Sequence, residues 1–156
     1  MVEIPREVVT NMNTTRNWVN YGSTGCFFQP STIPVTNGFI LDTLAEDGDA
    51  LDALVLVWEP TFSGCVIEAK PVGLFKMWDE NRPDEKILCV PCADPNWNYI
   101  NNLTDVPPHL LKEIQHFFSI YKELEWKKTG IEGWHDLDSA IKVIRESQER
   151  FNRQDP

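Results

Sequence analysis

The sequence predicts an α+β fold, a closed or nearly closed barrel of short β-strands with two main helices packed on it. Three observations carry this. Short apolar stretches succeed one another from Gly38 to Cys92, divided by turn residues. Beyond Pro107 the apolar residues recur every three to four positions instead. The 156 residues, 42% of them hydrophobic, suffice for one core, so residues 1–156 are expected to form a single domain without repeats or low-complexity segments.

The first 37 residues are the least legible. Asn and Thr are frequent there, with Trp18, Tyr21, Phe27 and Phe28 as apolar anchors. Strands are expected at Gly38–Leu41, at Ala53–Trp58, which is apolar throughout, and at Cys65–Lys70, which alternates. Two more are expected at Val72–Met77 and Lys86–Cys92. Turn signals separate them: Asp47-Gly48, Pro60, Ser63-Gly64, Pro71 and Arg82-Pro83. From Pro107 to Leu124, residues Leu110, Leu111, Ile114, Phe117, Phe118, Tyr121 and Leu124 make one helical stripe, with Thr104 or Asp105 as the expected cap. A second helix is expected from Asp136 to Phe151. Leu137, Ala140, Ile141, Ile144 and Phe151 would face inward, and Arg145, Glu146, Glu149 and Arg150 would face water.

Charge and composition narrow the function. The net charge of −10 opposes nucleic-acid binding, which needs Lys and Arg against phosphates. No stretch approaches the roughly 20 apolar residues of a membrane span. Met1-Val-Glu-Ile-Pro-Arg6 lacks a signal-peptide pattern, so the cytoplasm is the expected location and the sequons at Asn13 and Asn102 carry no meaning. Cys89-Val-Pro-Cys92 has no second ligand pair for zinc. It lies in an apolar run, so these thiols are expected inside a strand.

Glu46-Asp-Gly-Asp-Ala-Leu-Asp52 is the strongest local signal, to be read either as a cation-binding cluster or, taken alone, as an exposed acidic turn. Asp47 and Asp49, two apart, would point the same way in an extended segment, and Asp52 opens an apolar strand. Carboxylates so close stay ionised together only beside a cation. Oxygen donors without nearby His or Cys suit Mg²⁺, Mn²⁺ or Ca²⁺, and the spacing excludes an EF-hand. A second acidic segment, Asp79 to Lys86, lies between two expected strands. Asp79 and Asp84 would meet the first cluster if those strands are neighbours, with Lys86 beside them. Tyr121-Lys122, at the end of the long helix, pairs a hydroxyl with an ammonium, a combination that suits a phosphate oxygen; from the helix alone the pair reads equally as a core Tyr beside a solvent-facing Lys.

These segments, taken in order with Pro71-Val-Gly-Leu-Phe-Lys-Met77, His116-Phe-Phe-Ser-Ile-Tyr-Lys-Glu-Leu-Glu125 and Glu132-Gly-Trp134, resemble family I soluble inorganic pyrophosphatases. The resemblance implies an OB-like, closed five-stranded β-barrel flanked by two main α-helices, in a homo-oligomer. It implies Mg²⁺-dependent hydrolysis of inorganic diphosphate. Asp47, Asp52 and Asp84 would hold the tightest metal pair, and Asp79 would join Asp84 on a further Mg²⁺. Asp49 would take the proton of the attacking water. Lys86, Tyr121 and Lys122 would grip the phosphates, and Glu3 would stand near the substrate metals.

The family pattern is altered toward the N-terminus. Ala50 stands where Pro or Glu is usual. Arg16 and Trp18 stand near a Lys-Tyr-Glu triplet, so Arg16 is the expected replacement cation. Residues Gly25 to Pro34 contain no Arg, and Asn37 replaces a Tyr. The metal half of the pattern is thus complete and the phosphate-gripping half is changed. Hydrolysis of inorganic diphosphate is the leading expectation. The alternatives are another diphosphate-bearing small molecule as substrate, or phosphate and metal binding without turnover.

Overall fold

The computed structural model describes residues 35–59, 61–62, 64–80, 82–120 and 129–154, and the backbone of 7–10. Strands β1 (Glu7–Thr10), β2 (Val35–Ile40), β3 (Asp52–Leu56), β4 (Val66–Asp79) and β5 (Arg82–Pro91) come first. A 3₁₀ turn (Leu103–Asp105), helix α1 (Pro108–Ile120), strand β6 (Thr129–His135) and helix α2 (Leu137–Gln154) follow. The sheet order is β1-β2-β3-β5-β4-β6, and β1 pairs also with the first residues of β4. All pairings are antiparallel except β3 with β5.

Two expected strands, Cys65–Lys70 and Val72–Met77, are one. Pro71 cannot donate a ladder hydrogen bond, so it reads as a break in the sequence. The chain instead passes it with a register shift between Pro71 and Gly73 and continues along β5. Arg82-Pro83, expected as a turn, already belongs to β5. Asp79 pairs directly with Arg82, and Glu80 bends the chain at φ +49°. Strand β6, read only as a motif, is added on β4. Gly130 and Gly133 hide its period. Gly130 is required by contact: a Cβ there would stand 2.1 Å from the Trp78 indole.

Both faces of the central strands are buried, which explains the unbroken apolar run of β3. On one face Leu54, Leu56, Phe75, Met77, Leu88 and Val90 meet Leu110, Ile114 and Phe118 of α1. On the other, Ala53, Val55, Leu74, Ile87 and Cys89 meet Ala140, Val143 and Ile144 of α2. Each large side chain so buried contributes roughly 1.5–3 kcal/mol. Cys89 is inside, as its strand position predicts, and burial pushes its thiol up to about 12. Cys92, just past β5, is only half-buried.

The helices begin and pack somewhat differently from the pattern. Thr104 and Asp105 do not cap α1. Asn102 and Asp105 cap the 3₁₀ turn, the Asn102 side chain accepting from the Thr104 N–H while Asp105 accepts from the Asn102 N–H. Asp136 caps α2 by accepting from the Ser139 N–H at 2.9 Å. Phe151, expected inward, is 38% exposed, because the buried stripe of α2 ends on Ser147. Arg150, expected in water, donates from Nε to the Leu44 carbonyl at 2.9 Å and from its guanidinium to the Ser147 hydroxyl at 3.0 Å. The first of these bonds ties α2 to the loop between β2 and β3, and the second stays within the helix. No described helix is long and apolar enough to cross a membrane.

Candidate functional site

The loop between β2 and β3 is closed at its base. The Thr43 hydroxyl donates to the Ile40 carbonyl at 2.6 Å and accepts from the Leu51 N–H at 3.0 Å, and Ile40 N–H donates to the Leu51 carbonyl. Within it, Ala45 N–H donates to the Asp49 carbonyl at 2.7 Å, and Gly48 turns the chain at φ +98°. Asp47 and Asp49 therefore sit in a tight turn, not in the extended segment their spacing suggests. The Asp49 N–H donates to Asp47 Oδ1 at 3.1 Å, orienting that carboxylate.

Strand pairing supplies the rest. Asp52 opens β3 opposite Lys86 of β5, and Lys86 lies opposite Phe75 of β4. Asp84 precedes Lys86 by two residues and so shares its face. The Lys86 ammonium donates to Asp52 Oδ2 at 2.5 Å and to Asp84 Oδ1 at 2.7 Å, and the residue is only 5% exposed. Burial acts to lower the Lys86 pKa. The charges of Asp52 and Asp84, with their hydrogen bonds, outweigh it and hold the group above the ordinary lysine range.

Asp47, Asp52 and Asp84 line one cleft together with Glu46 and Glu85. Neither glutamate is among the residues the sequence pointed to as metal, base or phosphate ligands, although Glu46 opens the first acidic segment and Glu85 lies in the second. Two of the five carboxylates have separate cations: Lys76 lies 3.0 Å from Glu85, and Arg150 lies 3.9 Å from Glu46. Asp52 and Asp84 both lean on Lys86. The acidic lining is all oxygen, a donor set that fits a hard divalent cation such as Mg²⁺. Among the described residues, no three acidic, imidazole or thiol groups converge on one point, because the Lys86 ammonium stands between Asp52 and Asp84.

The remaining expected residues lie as follows. Asp49 is exposed and outside the cleft lining. Asp79 ends β4, half-buried, on the same face of the hairpin as Asp84 by register but likewise outside the lining. Asn37, at the position of the expected Tyr, is in β2 opposite Leu54. Glu3, Arg16, Tyr121 and Lys122 lie outside the described residues.

Comparison with known proteins gives a consistent picture. The family profile described as "Inorganic pyrophosphatase" matches residues 1–152. The inorganic pyrophosphatase of Methanosarcina mazei is 56% identical over 127 residues, which cover 81% of this chain and 75% of that protein. That of Synechocystis is 47% identical over 118 residues, covering 76% and 70%. Among solved structures, the inorganic pyrophosphatase from Thermus thermophilus is similar with a TM-score of 0.81 at 32% identity, covering 97% of this chain and 95% of that one. The Helicobacter pylori enzyme gives a TM-score of 0.78 at 29% identity, covering 97% and 98%.

Proposed function

The chain belongs to the inorganic pyrophosphatase family and hydrolyses inorganic diphosphate to two phosphates, and we propose that it does so with Mg²⁺ held by Asp47, Asp52, Asp79, Asp84 and Glu3. The observation that supports this metal set is that Asp47 and Asp52 from the β2–β3 segment and Asp84 from β5 line one oxygen-rich cleft. Bound Mg²⁺ supplies positive charge against the phosphate oxygens and makes an attacking water more acidic.

The chain's own groups do the rest. Asp49 is the base that takes the proton of the attacking water. Its exposure leaves it free to do so, and the turn keeps its N–H on Asp47. Lys86 supplies a fixed positive charge beneath the cleft, permanently protonated because of its two aspartates. Arg16, Tyr121 and Lys122 grip the phosphates. Nothing in the cleft favours another diphosphate-bearing substrate or binding without turnover.

The β1–β4 pairing supports reading the five strands β1 to β5 as an OB-like closed barrel, with β6 added at its side. Residues 1–156 form a single domain in this reading, supported by the two core clusters sharing the same strands. A cytoplasmic homo-oligomer, without nucleic-acid or membrane partners, completes the proposal. Cys89 and Cys92, which are not joined in a disulfide, support a reducing compartment. Exposed Trp58, Phe62 and Tyr99 support a subunit interface.

The test is phosphate release from Mg-diphosphate by the purified protein beside its Asp49→Asn variant, with Mg²⁺ binding followed by calorimetry. The variant should lose turnover and keep its metal affinity. A wild-type rate in Asp49→Asn would remove that residue from the role of base.

A further inference from the structure

The Lys86 ammonium is held by more than its aspartates. It stands over the ring of Phe118, 5.4 Å from the centroid. Phe118 is on α1 and only 3% exposed. Its ring lies 5.5 Å from that of Phe75 and meets Phe117 edge-on at 5.2 Å. Phe75 is the register partner of Lys86 and packs on Trp134 at 4.8 Å. Trp134 in turn donates from Nε1 to the Leu111 carbonyl at 3.2 Å, which closes the circuit back to α1. The Phe118 ring is therefore clamped by a strand, a helix neighbour and, through Phe75, a second strand.

An aromatic face carries partial negative charge and attracts a cation most strongly where water is excluded. Lys86 is in such a place. Asp52 and Asp84 hold its ammonium by two hydrogen bonds, and the ring face adds an attraction that no aliphatic core residue of similar size could supply. We propose that Phe118 is a positioning residue for the hydrolysis: its ring face fixes the Lys86 ammonium between Asp52 and Asp84, and so fixes the positive charge presented beneath the diphosphate cleft. This rests on the role given to Lys86 above.

The test compares Phe118→Leu with Phe118→Tyr and with Ile114→Val, which loses packing from the same core cluster while leaving every ring in place. The first measurement is the proton NMR shift of the Lys86 Cε methylene in the metal-free protein. Ring current should move it upfield in the wild type and in Phe118→Tyr, and Phe118→Leu should abolish that displacement. The second is steady-state hydrolysis of Mg-diphosphate. Phe118→Leu should lower kcat/KM about 5- to 30-fold, the rate equivalent of a desolvated cation–π contact, while Phe118→Tyr and Ile114→Val stay near wild type. Should Phe118→Leu fail to fold, trifluorophenylalanine at 118 keeps the ring's shape and removes the negative face, and the same loss of rate is expected. A Lys86 shift unchanged in Phe118→Leu overturns the contact. A changed shift with an unchanged rate overturns the positioning role. An inactive wild-type protein would overturn the role of Lys86 in hydrolysis instead, and the shift would still decide the contact.

Discussion

Replacing Lys86 with Met leaves the shape of the site nearly intact and removes its central charge. The ammonium makes contacts of 2.5 and 2.7 Å to Asp52 and Asp84. At an effective dielectric constant near 20, each such contact amounts to about 6 kcal/mol of Coulomb attraction before desolvation is counted. The net cost of removing one partner from a buried ion pair is smaller, about 3–5 kcal/mol. The Asp52 side chain is 49% exposed and recovers part of its hydration, while Asp84 at 19% recovers less. A destabilisation of about 3 kcal/mol follows, which for a chain of this length lowers Tm by roughly 6–12 °C. The assay is thermal unfolding followed by circular dichroism in EDTA and in Mg²⁺. The freed carboxylates should bind Mg²⁺ more strongly, so Mg²⁺ should raise Tm more in Lys86→Met than in the wild type. A variant within about 1 °C of wild type in EDTA, or an equal Mg²⁺ response in both, would refute the reasoning.

Three further outcomes are expected. Gly130→Ala forces the Trp78 indole aside, costs about 1–3 kcal/mol and shifts the tryptophan emission, which denaturant titration and fluorescence will show. Asp136→Ala removes the α2 cap. The Ser139 hydroxyl, and then its N–H, hold the Asp136 carboxyl below its usual value of 3.8. The cap therefore stabilises fully above that pH and is lost as pH falls below it, so Tm scans of wild type and variant should differ at pH 7 and converge in acid. Arg150→Ala releases α2 from the Leu44 carbonyl, costing about 1 kcal/mol, and should weaken Mg²⁺ binding through the Asp47 turn, read by calorimetry.

The sequence pointed to the proposed donors by spacing, Asp47 and Asp49 in an acidic loop and Asp84 two residues from Lys86, but the same spacing also suits an exposed acidic turn, which is the local form that Asp47 and Asp49 take. It made the Asp52 position legible because a polar residue opening an all-apolar run marks a strand end. Pairing was harder. The parallel contact of β3 with β5 joins residues 34 apart and leaves no periodic trace. Pro71 misled because a bulge can absorb a missing donor. Arg150 misled because its helical position is on the polar side, and only the loop folded back over α2 gives it a carbonyl. Phe118 read as core, which it is. Its second use depends on which strand residue ends beneath the ring.

The tight hairpin of β4 and β5 carries Asp79, Asp84 and Lys86 on one ribbon, with Asp79 facing Arg82 across its tip. Such a ribbon closes locally, on the order of 1–10 μs. Asp52 arrives only when β3 docks in parallel, after a much longer loop has closed. During refolding, Lys86 and Asp84 should thus be assembled well before Asp52 reaches them. The complete acidic cleft is then a late product of the folding reaction, and its appearance can time the docking of β3.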